Sequence, residues 1–104
     1  MKRKEATERS LQTVIVKALG LLGFLVIHIP NQYSKGRVRD AGFVSGAPDL
    51  IVLKDGKVFF LEIKTQTGRV RASQKLFAER VRQQGFDYFV VRSLDDALKA
   101  VGYG

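Results

Sequence analysis

From residue 5 to residue 19 the apolar positions Leu11, Val14, Ile15, Ala18, Leu19 and Leu22 recur at i, i+3, i+4, i+7, i+8 and i+11, and this repeat predicts an amphipathic helix. Gly20 and Gly23 permit a turn, after which Phe24-Leu25-Val26-Ile27-His28-Ile29 reads as a short buried strand stopped by Pro30. Residues 31–46 show no periodicity and read as a long loop carrying Tyr33, Lys35, Arg37 and Arg39 among glycines. Two strand-like runs follow, residues 49–53 and 58–64, separated by Lys54-Asp55-Gly56-Lys57, and Asp-Gly between such runs predicts a hairpin. Leu50, Val52, Phe59 and Leu61 point to one face and Ile51, Leu53, Val58 and Phe60 to the other, so the hairpin is expected at the centre of a sheet covered on both sides. A helix from about Ser73 to Gln84 turns Leu76, Phe77 and Val81 inward and stops at Gly85. Tyr88-Phe89-Val90-Val91 is a further strand, and Ser93 with Asp96 resembles a capping box that opens a last helix through Leu94, Ala97, Leu98 and Val101. The order αβββαβα predicts an α/β fold, a mixed central sheet flanked by helices.

The chain has 104 residues, room for one domain spanning 1–104. Apolar residues make up 45% and charged residues 27%, the usage of chains that fold around a core. With no cysteine and one histidine, His28, cysteine-ligated zinc, disulfides, thiolate nucleophiles and histidine relays are all excluded. Metal chemistry here is therefore oxygen chemistry, suited to magnesium or manganese. Eighteen Lys and Arg against ten Asp and Glu leave a net charge of +8, which points to a polyanionic partner such as nucleic acid. No apolar run is long enough to span a bilayer, and the start Met1-Lys2-Arg3-Lys4, followed by Glu5 and Glu8, does not resemble a signal peptide. A cytoplasmic protein without a membrane partner is expected.

A tight turn on Asp55 and Gly56 sets Lys54 opposite Lys57, and the same register brings Asp49 opposite Glu62 on one face. Their Cβ atoms would then be about 4.5 to 5.5 Å apart. Lys64, two residues beyond Glu62, shares that face. Opposed like charges destabilise a sheet, so the pair calls for a cation between them, a lysine or a divalent metal. The plain alternative is a loop cap at Asp49 and a solvated Glu62–Lys64 ion pair at a strand end.

Gly46-Ala47-Pro48-Asp49 followed by Glu62-Ile63-Lys64 resembles the paired motif of the PD-(D/E)xK nuclease superfamily, with its restriction-endonuclease-like core. Four features in this order resemble the VRR-NUC (virus-type replication-repair nuclease) domain more closely. They are Glu8 in an opening helix, Gly-x-Pro-Asp, Glu-x-Lys followed by Thr65 and Gly68, and Ser73-Gln74-Lys75. The likeness covers nearly the whole chain, at the length of a stand-alone phage or bacterial member. It implies that Asp49, Glu62 and the Ile63 carbonyl hold magnesium or manganese, with Glu8 acting directly or through water. It also implies that Lys64 orients or deprotonates the attacking water and that Gln74 contacts water or phosphate. Phosphodiester hydrolysis needs an acidified water and a stabilised anionic transition state, and a carboxylate-held metal serves both needs.

Lys35, Arg37 and Arg39 precede the motif strands, and Arg69, Arg71, Lys75, Arg80 and Arg82 follow them. Such flanking charge suits contacts to DNA phosphates, which give affinity without reading sequence. The expected activity is that of a metal-dependent, structure-selective DNA endonuclease, a homodimer resolving four-way (Holliday) junctions in DNA repair and recombination. The alternatives are a nuclease preferring flaps, nicks or linear duplex, and a nucleic-acid-binding module without chemistry.

Overall fold

Thr7 fixes where the first helix begins. Its hydroxyl accepts from the Ser10 amide at 3.0 Å, while the Ser10 hydroxyl accepts from the Thr7 amide at 3.1 Å, a reciprocal cap of the exposed helix donors. The computed structural model describes residues 7–30 and 46–103. Helix α1 (Glu8–Leu21) therefore starts three residues later than the apolar repeat predicts. It also runs past Gly20 and turns at Leu22 and Gly23.

The strands are β1 (Leu25–His28), β2 (Leu50–Lys54), β3 (Lys57–Ile63) and β4 (Asp87–Val91). Helix α2 (Ala72–Gln83) links β3 to β4, and α3 (Leu94–Ala100) closes the described chain. The sheet order is β1-β2-β3-β4, with β1, β2 and β3 antiparallel and β4 parallel to β3. A parallel pair needs a crossover, and α2 supplies it. The mixed α/β architecture and the element order agree with the sequence reading.

Between β2 and β3, Asp55 and Gly56 both take positive φ, 50° and 79°, as a tight primed turn requires. Lys54 pairs with Lys57 and Leu50 with Leu61, the register the Asp-Gly turn predicts. Leu50, Val52, Phe59, Leu61 and Ile63 pack with Val91 beneath Ile15, Leu19, Ala97 and Val101 of α1 and the α3 segment. That face is covered over β2, β3 and β4, while His28 at the end of β1 stays exposed. Each large aliphatic side chain buried there contributes about 1.5–3 kcal/mol.

The opposite face departs from the expectation of full coverage. Helix α2 turns Ala78 and Val81 onto Tyr88, with Phe60, Phe77 and Val90 around them. That cover reaches β3 and β4 only. Leu25 is 60% exposed and Ile27 42% exposed, and they share this face with half-buried Ile51 and Leu53. Leu76, expected on the inner side of α2, is 57% exposed. The 12-residue helix has only a narrow apolar stripe, too small to cover four strands. At α3, Ser93 caps the Asp96 amide as expected, but the Asp96 carboxylate accepts from the Arg92 amide rather than completing the box. Among the described residues no helix is long and apolar enough to cross a membrane.

Candidate active site

Asp49 directly precedes β2, Glu62 lies near the end of β3, and Lys64 follows β3. All three are buried, with exposures of 7%, 3% and 6%. They are the only buried charged residues among those described. Burial of charge is costly unless partners repay it, so the solvated strand-end alternative does not fit.

The backbone explains how Asp49 is held. Its carbonyl accepts from the Ile29 amide at 2.9 Å, tying it to the end of β1. Its Oδ2 accepts from the Ile63 amide at 2.7 Å, so the side chain takes over where the β2–β3 ladder ends. The preceding motif is clamped from the other side. Gly46 has φ +84°, and a Cβ there would run into the backbone carbonyl of Ser73 in α2. Only glycine lets the Gly-Ala-Pro-Asp segment lie against the start of that helix.

Glu62 is gripped by α2. The Gln74 amide Nε2 donates to Glu62 Oε2 at 2.7 Å, and Gln74 Oε1 accepts from the Arg71 amide at 2.8 Å. Gln74 thus holds a site carboxylate and its own helix start together. Lys64 Nζ lies 3.7 Å from the same Oε2. That is too long for a strong hydrogen bond. The Glu62 carboxyl is pushed up to about 8, first by burial and then by the charge of Asp49, which together outweigh the opposing pull of Lys64. Its Oε1 is buried and meets no protein donor among the described residues, while the carboxyl as a whole also shares a side-chain hydrogen bond with Asp49 that favours its protonated form.

Glu8 stands apart, exposed in the first turn of α1, and its charge is the weakest of the influences on Glu62. Among the described residues no three His, Cys, Asp or Glu side chains converge as a metal cage. The carboxylates of Asp49 and Glu62, the latter with Oε1 free of any protein donor, and the Ile63 carbonyl form a hard-oxygen donor set that suits magnesium or manganese. Magnesium is commonly held by one or two carboxylates with water and phosphate completing the shell.

Arg69, Arg71 and Lys75 are exposed around the start of α2, beside the site. Arg69 and Lys75 line a shallow hollow with Gly68, Val70 and Arg92. Arg82 instead donates to the Tyr88 carbonyl at 2.8 Å and lies over the Tyr88 ring. His28 closes β1 and pairs with Leu50, as a strand residue. Lys35, Arg37, Arg39 and Tyr33 lie outside the described residues.

Two residues here had no functional reading from sequence. Arg92 Nη1 donates to the carbonyls of Thr65 at 2.6 Å and Gly68 at 2.8 Å, holding the turn that follows Lys64. Nothing in a lone arginine after a strand announces that role. Tyr88 lies on the Glu62 face, and strand parity alone would have suggested it.

The VRR-NUC domain profile matches residues 6–95. A solved structure described as a VRR_NUC domain is 30% identical, with a TM-score of 0.69 over 92% of this chain and 96% of its own. A second, described as a VRR_NUC domain protein, shares the fold at 24% identity, with a TM-score of 0.75 over 94% of this chain and 87% of its own. No curated protein matches the chain. With the profile spanning the motif segments that the fold brings together at Asp49, Glu62 and Lys64, the chain belongs to the VRR-NUC family of DNA nucleases.

Proposed function

We propose that residues 1–104 act as a magnesium- or manganese-dependent, structure-selective DNA endonuclease that works as a homodimer on four-way junctions. The observation carrying the metal-dependent part is the buried Asp49–Glu62–Lys64 group with Glu62 Oε1 unclaimed. Asp49, Glu62 and the Ile63 carbonyl would hold the ion, with Glu8 reaching it through water. When bound, it would acidify water and stabilise the charge of the transition state.

The chain's own groups do the rest. Lys64, held in place by burial, orients or deprotonates the attacking water and offers positive charge to the phosphate. Gln74 fixes the orientation of Glu62 through one oxygen and leaves the other for binding. Arg69, Arg71 and Lys75, with Lys35, Arg37 and Arg39, supply phosphate contacts and a steep dependence on salt.

Junction resolution needs two cuts in fixed relation, and a symmetric dimer provides two sites. Exposed Leu25 and Ile27, on the uncovered face of edge strand β1, support self-association. Sedimentation at micromolar concentration, run beside cleavage of junction and duplex oligonucleotides of matched sequence, tests the proposal. A dimer that cuts junctions preferentially with magnesium or manganese, is silent in excess chelator, and binds but barely cuts in calcium is the expected result. Full activity in chelator would refute the metal reading. A monomer cutting both substrates equally would refute the dimeric junction reading alone.

A further inference from the structure

Among the described residues two buried side-chain oxygens meet no protein donor: Glu62 Oε1 and the Tyr88 hydroxyl. Buried polar groups are nearly always paired, directly or through ordered water, and an orphan demands a reason. These two belong to one face of one strand pair. Tyr88 pairs with Phe60, and Glu62 is the next residue on that face of β3, one diagonal step away. A tyrosine side chain spans such a step.

The ring is packed inside the fold. Tyr88 is 2% exposed, with the Phe77 ring at 6.2 Å on one side and the Arg82 guanidinium at 5.9 Å from its centroid. Burial raises its phenol first, followed by the charges on Glu62 and then Asp49, so the hydroxyl lies within the field of both carboxylates. A phenylalanine would fill the same space against Phe77. The hydroxyl adds only a donor and an acceptor, and neither meets a partner among the described residues.

We propose that the Tyr88 hydroxyl is a positioning group of the active site, sharing one buried water with Glu62 Oε1 and so fixing how that carboxylate presents itself to a bound ion. This rests on the metal-dependent nuclease reading. A carboxylate oxygen has two acceptor positions, so Oε1 can take this hydrogen bond and still serve as a ligand. Gln74 holds Oε2 from α2 and Tyr88 holds Oε1 from β4, and the carboxylate is fixed from two elements. Groups that orient a metal ligand in this way typically change metal affinity or activity by about 10–100-fold when removed.

The test compares the wild-type chain with Tyr88→Phe, which keeps the ring and removes only the oxygen. Manganese is titrated calorimetrically without DNA, and cleavage kinetics are measured separately. The expected result is manganese binding weakened by about tenfold and a lowered kcat, with KM for DNA unchanged. Manganese affinity and kcat equal to those of the wild type overturn the Tyr88 role and leave the nuclease reading standing. A wild type that neither binds manganese nor cuts DNA overturns both.

Discussion

Replacing Glu62 with glutamine stabilises the metal-free protein, and does so only above mildly acidic pH. The folded state holds the Glu62 proton up to about pH 8, whereas the ordinary value is 4.5. Between these values the folded protein binds more protons than the unfolded chain, so stability falls as pH rises through that window. For every pH unit climbed above the ordinary value the folded state loses about 1.36 kcal/mol, until the buried carboxyl itself ionises. The carboxyl therefore costs the fold about 3 kcal/mol at pH 7 and up to about 5 kcal/mol above pH 8. Against a total stability of about 5–15 kcal/mol this is a large fraction. Glutamine is neutral at every pH, and its amide oxygen still accepts from Gln74. Urea unfolding in chelator from pH 4.5 to 9 reads the effect. The wild type and Glu62→Gln should unfold at similar urea near pH 5 and separate by about 2 M at pH 7. Parallel pH profiles, or a variant less stable than the wild type at pH 8, would refute the account of Glu62 as a buried carboxyl opposed by Asp49.

Asp49→Ala abolishes cleavage but leaves a folded protein that still binds DNA, checked by circular dichroism and gel shift; loss of the fold would make Asp49 structural. Gly46→Ala forces a methyl group into the Ser73 carbonyl at a positive φ, costs about 2 kcal/mol or more, and lowers both melting temperature and cleavage. Arg92→Met frees the turn after Lys64, costs about 2 kcal/mol by thermal unfolding, and lowers kcat.

Local chemistry made much of this protein legible in its residues. The Asp-Gly turn needs two positive φ values and fixes the hairpin register as far as Leu50 and Leu61, and the next step along both strands is Asp49 and Glu62. Period and caps located every element of the described chain, with boundaries shifted where a hydrogen bond such as Thr7 to Ser10 outweighs the apolar repeat. Coverage of the second sheet face was not legible, because it depends on how far α2 reaches across strands that are distant in sequence. The same holds for the site's supports. Gln74 reaches Glu62, Arg92 reaches the turn after Lys64, and Gly46 lies against Ser73 only when α2 and β4 dock on β3. Sequence determined which carboxylates face each other, since that is a matter of backbone geometry over a few residues. Tertiary structure alone decided that they are buried, that one holds its proton to about pH 8, and which of its oxygens meets no protein donor, because desolvation and long-range packing belong to the assembled fold.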